Sequence, residues 1–276
     1  MASRLVLKIG IPSLVMVLLV SLMVAPMALA ATTWSLTADY LARGNATAPV
    51  IDDAGGDSVW YLKTGSSATD PGTYVPFTTW ATNYDSWMAP GAPPIKGWYS
   101  GTDPFDVPHT SVNNSGSNIS CVGGAFTWLN GTVLTHPGLN PITFAVTEWR
   151  SPAAGVASIS ATLSDLHSQS GGNGFEYWVL QGSTVLSQAV VPEGGSAPPV
   201  SLAGIEVAEG DSLYLVVGPN GNYGGDTTQI EFSVTLEEEP PAISTFASAP
   251  WSIAVLAVFG LAVAAVAISR ARRSEA

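Results

Sequence analysis

Residues 215–228 read Leu-Val-Val-Gly-Pro-Asn-Gly-Asn-Tyr-Gly-Gly-Asp-Thr-Thr, an apolar strand that runs into glycines and then two threonines. That layout approaches a phosphate-binding loop, in which backbone N–H groups and a lysine cradle a nucleotide. The chemistry fails at two positions. Asp226 stands where the lysine is needed, and Asn220 stands where the first glycine is needed. Beyond the loop, Gln229 to Leu236 alternates as a strand, so no helix N-terminus is offered to phosphate. The segment reads as a β-hairpin loop whose glycines and asparagines supply positive φ angles. A second reading makes Asn220, Asn222 and Asp226 oxygen donors to Ca2+.

Other chemistry is sparse. The histidines are His109, His136 and His167, and no zinc-protease, Cys-x-x-Cys or Gly-x-Ser-x-Gly pattern accompanies them. His136 lies in Thr135-His-Pro-Gly138, which reads as a structural turn. Glycoside hydrolysis needs two carboxylates opposed across a cleft. Glu148, Asp165 and Glu176 fall on or beside predicted strands, but no spacing pairs them. No catalytic residue is assigned.

The aromatic residues are more suggestive. Phe77, Trp80, Tyr84, Trp87, Trp98 and Tyr99 crowd into one Pro- and Gly-rich stretch. Flat indole and phenol faces beside Asp and Asn suit the stacking of sugar rings, and Trp also brings a donor. The plainer reading is that these side chains cover the core and hold long loops in place. Trp80, Tyr84, Trp87, Trp98 and Tyr99 are the candidate ligand-binding set.

The charge balance narrows the partners. Between the two chain ends the only cations are Arg43, Lys63, Lys96 and Arg150, against most of the chain's 21 Asp and Glu. Such a surface repels phosphate backbones, which excludes nucleic acid and disfavours a nucleotide. Cys121 is the only cysteine, so no intrachain disulfide forms. It reads as a small buried hydrophobe, with an intermolecular disulfide as the alternative.

Elements that would position these residues are legible mainly in the second half. Ile230, Phe232, Val234 and Leu236 alternate with polar residues, as does 158–163. Residues 175–181 and 184–191 flank Gly182-Ser183 as a hairpin, and 207–217 turns at Glu209-Gly210-Asp211 into another strand. In the first half, 34–40, 58–63 and 124–129 read as strands, while 69–120 reads as long ordered loops. No helical period stands out before the C-terminal span. Many short strands punctuated by Gly and Pro predict an all-β sandwich of jelly-roll type. Sequons begin at Asn45, Asn113, Asn118 and Asn130, and glycosylation would place them on exposed loops.

The chain ends predict export. Arg4 and Lys8 precede an apolar run, and Ala25-Pro-Met-Ala-Leu-Ala30 supplies a small-x-small cleavage site, so 1–30 reads as a signal peptide. An uncleaved N-terminal anchor is the alternative. Residues 251–269 carry no charge and are followed by Arg270, Arg272 and Arg273. A helix of that length covers about 28 Å, close to the bilayer's apolar thickness of about 30 Å. The arginines then fall on the cytoplasmic side. The organisation is signal peptide 1–30, β-sandwich ectodomain 31–237, acidic and Pro-rich spacer 238–250, transmembrane helix 251–269 and cytoplasmic tail 270–276.

Several segments together resemble exported jelly-roll domains of bacterial, planctomycete-like surface proteins, many of which end in PEP-CTERM sorting tails. They are Thr135-His-Pro-Gly138, Glu148-Trp-Arg-Ser-Pro-Ala-Ala-Gly155, Ser164-Asp-Leu166, Val207-Ala-Glu-Gly-Asp-Ser-Leu-Tyr214, Gly218-Pro-Asn-Gly-Asn222 and Asp226-Thr-Thr228. The resemblance is close over 120–237 and loose over 31–119. It implies a carbohydrate-binding-module-like sandwich without assigned catalysis. The tail departs from that family: Glu239-Pro240-Pro241 stands where Val-Pro-Glu-Pro would begin a sorting signal, so a retained single-pass anchor is expected. The expected function is a non-enzymatic structural or adhesive protein of the cell surface. The alternatives are a module binding extracellular or envelope glycans through the loop aromatics and, more weakly, a glycan-active hydrolase. Expected partners are the membrane and, for the first two readings, polysaccharide or envelope proteins.

Overall fold

Alternation along two long segments sets the architecture. In Gly155–Asp165 and Thr228–Glu238 nearly every second side chain is buried and its neighbours face water. The two strands pair antiparallel so that Ala157 faces Leu236, Ile159 faces Val234, Ala161 faces Phe232 and Leu163 faces Ile230. At two of these pairs a small alanine lies opposite a large side chain, Ala157 with Leu236 and Ala161 with Phe232.

A computed structural model describes residues 31–43, 50–52, 56, 58–81, 95–100, 107–138, 142–167 and 172–239. The chain enters through β1 (Ala31–Ser35), helix α1 (Leu36–Arg43), β2 (Val50–Asp52) and β3 (Ser58–Gly65). Short strands follow: β4 (Val75–Pro76), β5 (Thr79–Ala81), β6 (Lys96–Tyr99), β7 (His109–Val112), β8 (Ile119–Cys121), β9 (Phe126–Trp128) and β10 (Val133–His136). Seven longer strands follow, beginning with β11 (Phe144–Arg150), β12 (Gly155–Asp165) and β13 (Phe175–Gln181). The rest are β14 (Thr184–Val191), β15 (Val200–Val207), β16 (Ser212–Pro219) and β17 (Thr228–Glu238).

Two antiparallel sheets form a β-sandwich. The eight-stranded sheet runs β15-β12-β17-β10-β7-β6-β5, with β1 sharing an edge of β17 with β10. The seven-stranded sheet runs β14-β13-β16-β11-β3-β2, with β4 added to β3. Their inner faces share one core, where Trp60 of β3 meets Phe232 of β17 at 5.4 Å between ring centres. Trp34 of β1 meets Trp149 of β11 at 5.5 Å. The β8–β9 hairpin holds a second cluster, with Cys121 and Trp128 packed against Tyr99 and Leu134.

The structure departs from the sequence reading in three places. Residues 36–40, expected to continue a strand from Trp34, lie instead in α1 (Leu36–Arg43). Ser35 Oγ accepts from the Ala38 N–H at 3.3 Å as an N-cap. Leu36 and Tyr40, four apart, bury one stripe of the helix, and Asp39 accepts from Trp60 Nε1 at 2.8 Å. The stretch 69–120, expected as loops, contains β4 to β8. The strands are too short for alternation to register, and pairing in the sheet defines them. The segment between β16 and β17 is not a hairpin loop. β16 pairs with β11 and β13, whereas β17 pairs with β12, β10 and β1, so these residues carry the chain from one sheet to the other.

Among the described residues no helix is long and apolar enough to cross a membrane. The predicted leader 1–30 and span 251–269 lie outside the described residues. Asn113 is fully buried, with its amide donating to Ser117 O at 3.0 Å and Trp128 O at 3.1 Å. It holds the loop and is closed to glycosylation once the protein has folded.

Cys121 is a free, fully buried thiol whose burial pushes its pKa up to about 12. It should not react with a thiol reagent such as DTNB at pH 8 in the native protein, and should react fully in urea. Rapid native labelling would contradict this packing.

Candidate functional site

The sequence-predicted aromatic platform is mostly interior. Trp80 and Trp98 are cross-strand partners in β5 and β6, with ring centres 5.1 Å apart, and Trp98 is buried in the main core. Phe77 is buried with them, and Tyr40 of α1 lies 6.5 Å from Trp80. Tyr99 is buried in the second cluster. The reason is parity: once β5 and β6 join the sheet edge, alternate aromatics must turn inward. Trp98 and Tyr99 therefore cannot stack on a ligand as expected. Tyr84 and Trp87 lie outside the described residues.

The expected calcium donors separate in the same way. Asn220 Nδ2 donates to Asn173 O at 3.1 Å, and Asn173 Nδ2 donates back to Asn220 O. Asn222 Oδ1 accepts from Gly224 N at 3.1 Å. These amides close the crossover loop, while Asp226 is fully buried behind it. Burial first, then the charges of Asp165 and Glu193, pushes the Asp226 carboxyl up to about 8. Among the described residues no three His, Cys, Asp or Glu side chains are grouped as a metal cage.

The histidines are packing groups. His109 and His136 stack with centres 5.8 Å apart, and His136 Nδ1–H donates to Pro137 O at 2.6 Å. Burial, with the His136 charge added, holds His109 well below its ordinary value. Burial likewise takes His136 down to about 4. Both rings are neutral at physiological pH.

What the structure brings together, and the sequence reading missed, is the outer face of the seven-stranded sheet. Phe144, Val146, Glu148 and Arg150 of β11 lie beside Tyr214 and Val216 of β16, and Trp178 and Leu180 of β13 continue the face. Glu148 is almost fully buried in the middle. It is ion-paired with Lys63, bonded by Arg150 at 2.9 Å, and accepts from Ser212 Oγ at 2.6 Å. Arg150 in turn lies 4.1 Å over the Tyr61 ring, a cation–π contact. Burial alone would raise the Glu148 carboxyl, but these hydrogen bonds and the Lys63 charge more than offset it and hold it below the usual range.

Beside this ion cluster the face turns aromatic. Trp178 is half-buried and meets Phe144 edge-on at 5.7 Å. Gly218 makes room for both rings: a Cβ there would lie 2.5 Å from Phe144 and 3.1 Å from Trp178. Glu176, Trp178, Gln188 and Val190 line a shallow cavity of about 170 Å3 at the β13–β14 edge. One signal in the sequence could have found it. In Phe175–Gln181 the inward positions are Phe175, Tyr177 and Val179, which leaves Trp178 on the solvent side, where a tryptophan is unusual. The carboxylates considered for hydrolysis do not oppose one another. Glu148 is held by its ion pairs, and Asp165 accepts from His167 N and Gly194 N at a sandwich end. Glu176 stays on the outer face.

No protein-family model and no curated protein matches the chain. Among solved structures, CBM51 from Clostridium perfringens GH95, in complex with methyl-galactose, is similar at 11% identity and a TM-score of 0.29. The match covers 57% of this chain and 99% of that one. CBM51-2 with GlcNAc, from Clostridium perfringens ZmpB, gives 11% identity and a TM-score of 0.29 over 67% of this chain and 36% of that one. The carbohydrate-binding module CBM36, with calcium and xylotriose, gives 12% identity and a TM-score of 0.24 over 56% and 98%. Likenesses this distant carry no argument about ligand or site.

Two variants test this description. Trp98→Ala should cost about 3–5 kcal/mol in urea unfolding, as large core truncations do; a loss below 1 kcal/mol would mean an exposed ring. Glu148→Gln should cost roughly 3 kcal/mol at pH 7, because Lys63 and Arg150 lose their counter-charge. Since the folded Glu148 pKa is depressed, its contribution is complete above the ordinary value of 4.5 and is lost as pH falls through the folded value. The gap between wild type and Glu148→Gln should therefore narrow below pH 4.5. A gap that widens in acid would contradict the assignment.

Proposed function

We propose that the β-sandwich is a non-enzymatic glycan-recognition module, displayed at the cell surface by the 251–269 span. The observation that carries this is Trp178, a half-buried indole on the outer sheet face with an open cavity beside it. A sugar ring presents apolar C–H faces and a rim of hydroxyls. The indole and the Phe144 edge supply the flat apolar contact, and Glu176 and Gln188 supply hydrogen-bonding groups at the cavity wall. The acidic surface favours a neutral polysaccharide over an anionic one. The resemblance to exported jelly-roll surface proteins with a membrane anchor supports the same placement.

Retention of the purified full-length chain on a panel of insoluble polysaccharides and envelope fractions tests the reading. Trp178→Ala should weaken binding about tenfold or more, equivalent to roughly 1.4 kcal/mol, with little change in melting temperature. Binding that survives Trp178→Ala would remove this face from the mechanism. No retention on any fraction would leave the structural or adhesive surface protein as the better account.

A further inference from the structure

An open sheet ends in strands whose outward N–H and C=O groups can pair with another chain, and proteins blunt such edges with charge, proline, bulges or brevity. Most edges of this sandwich are blunted. Among the described residues β2 and β5 are three residues long, β4 is two and contains Pro76, and β1 is five. β15 is longer but carries Glu206, a positive φ at Gly204 and a register shift against β12. β14 closes the seven-stranded sheet and differs from all of these. It is eight residues, Thr-Val-Leu-Ser-Gln-Ala-Val-Val, without a charge or a proline.

Its side chains add to the exposure. Val185 pairs with Leu180 and Val190 with Glu176, which puts both valines on the outer face that Trp178 shares. They are 40% and 55% exposed. The register shift past Ser187 turns Leu186 onto the core and leaves these two valines outward. A long, apolar and uncharged edge of this kind is one to which a further strand adds. The rest of the molecule says which strand. With a net charge of −12 the chain repels acidic partners, and a basic partner finds no carboxylate on β14 to pair with. A second β14 meets neither objection. When the two run antiparallel about a two-fold axis through the strand centre, Val185 of each copy comes opposite Val190 of the other, so the edge is complementary to itself.

We propose that β14 is a homodimer interface, through which two copies of this chain join their seven-stranded sheets into one continuous sheet. Main-chain hydrogen bonds along about 26 Å of strand and the two Val185–Val190 contacts hold it. With so narrow a contact the dimer is weak and concentration-dependent. The two-fold axis runs perpendicular to the sheet, so both outer faces stay on one side. The two Trp178 side chains then lie on that common face, about 14 Å apart across the join. The interface stands whether or not this face binds glycan, since no ligand takes part in it.

Sedimentation velocity of the full-length chain in detergent, across a concentration series, should show a reversible monomer–dimer equilibrium that strengthens as NaCl screens the like charges. Val185→Lys combined with Val190→Lys, both at exposed positions, sets lysine against lysine. It should weaken the dimer about tenfold or more without lowering the melting temperature. Val185→Lys combined with Val190→Glu pairs opposite charges and should restore it. Cross-linking reads the register. Opposed residues of antiparallel strands lie about 4.5–5.5 Å apart between Cα atoms, within disulfide reach, and the native Cys121 is buried. Chains carrying Val185→Cys, mixed with chains carrying Val190→Cys and oxidised under native conditions, should therefore yield a covalent dimer. A monomer at every concentration would overturn the proposal, as would a dimer indifferent to the lysine pair. So would a monomeric chain whose Val190→Cys variant cross-links to a different polypeptide in envelope fractions, which would assign the edge to another protein's strand.

Discussion

Trp60 joins the parts of this fold. It is fully buried in β3 of the seven-stranded sheet, its ring packs on Phe232 of the eight-stranded sheet, and its Nε1 donates to Asp39 of α1. Burying an indole removes about 150–250 Å2 from water, or roughly 4–6 kcal/mol at 25 cal/mol per Å2. The same indole thus gives the helix carboxylate a buried hydrogen-bond donor. Both sheets and the helix therefore share one side chain, and the neighbouring Trp34–Trp149 contact repeats the device.

With the inner faces committed, function is left to the outer faces and the rims. The outer face of the seven-stranded sheet is unusually rich in large side chains for a surface. Part of it is covered: Tyr74 packs edge-on against Tyr214 at 5.2 Å, and its ring would meet a Cβ on Gly65 at 2.5 Å. Among the described residues the part around Trp178 is not covered in this way, and it is there that the cavity lies.

Two of the buried carboxylates are accommodated by opposite means. Glu148 receives two of the few cations of this acidic chain, together with a hydroxyl. Asp226 is fully buried with neither carboxylate oxygen hydrogen-bonded among the described residues, and burial, with the charges of Asp165 and Glu193, pushes its pKa up to about 8.

Much of the fold was legible because alternation of period two is local: β12, the β13–β14 hairpin and β17 follow from adjacent residues alone. The eight-residue helix α1 was hidden because its start, Trp34-Ser35-Leu36, alternates like a strand until Ser35 caps it. Composition established an acidic chain, and residue types marked the region between Phe77 and Tyr99 as aromatic-rich. Whether Trp98 faces core or solvent depends on which strand β6 pairs with and in what register, and a one-residue shift reverses the answer. The same holds for Trp178 and for the ion pair of Glu148 with Lys63, which joins β11 to β3. Sequence determined which side chains were present and which long segments alternate; only the tertiary structure decided which faces were buried and which charged groups met, because those depend on contacts between residues far apart in the chain.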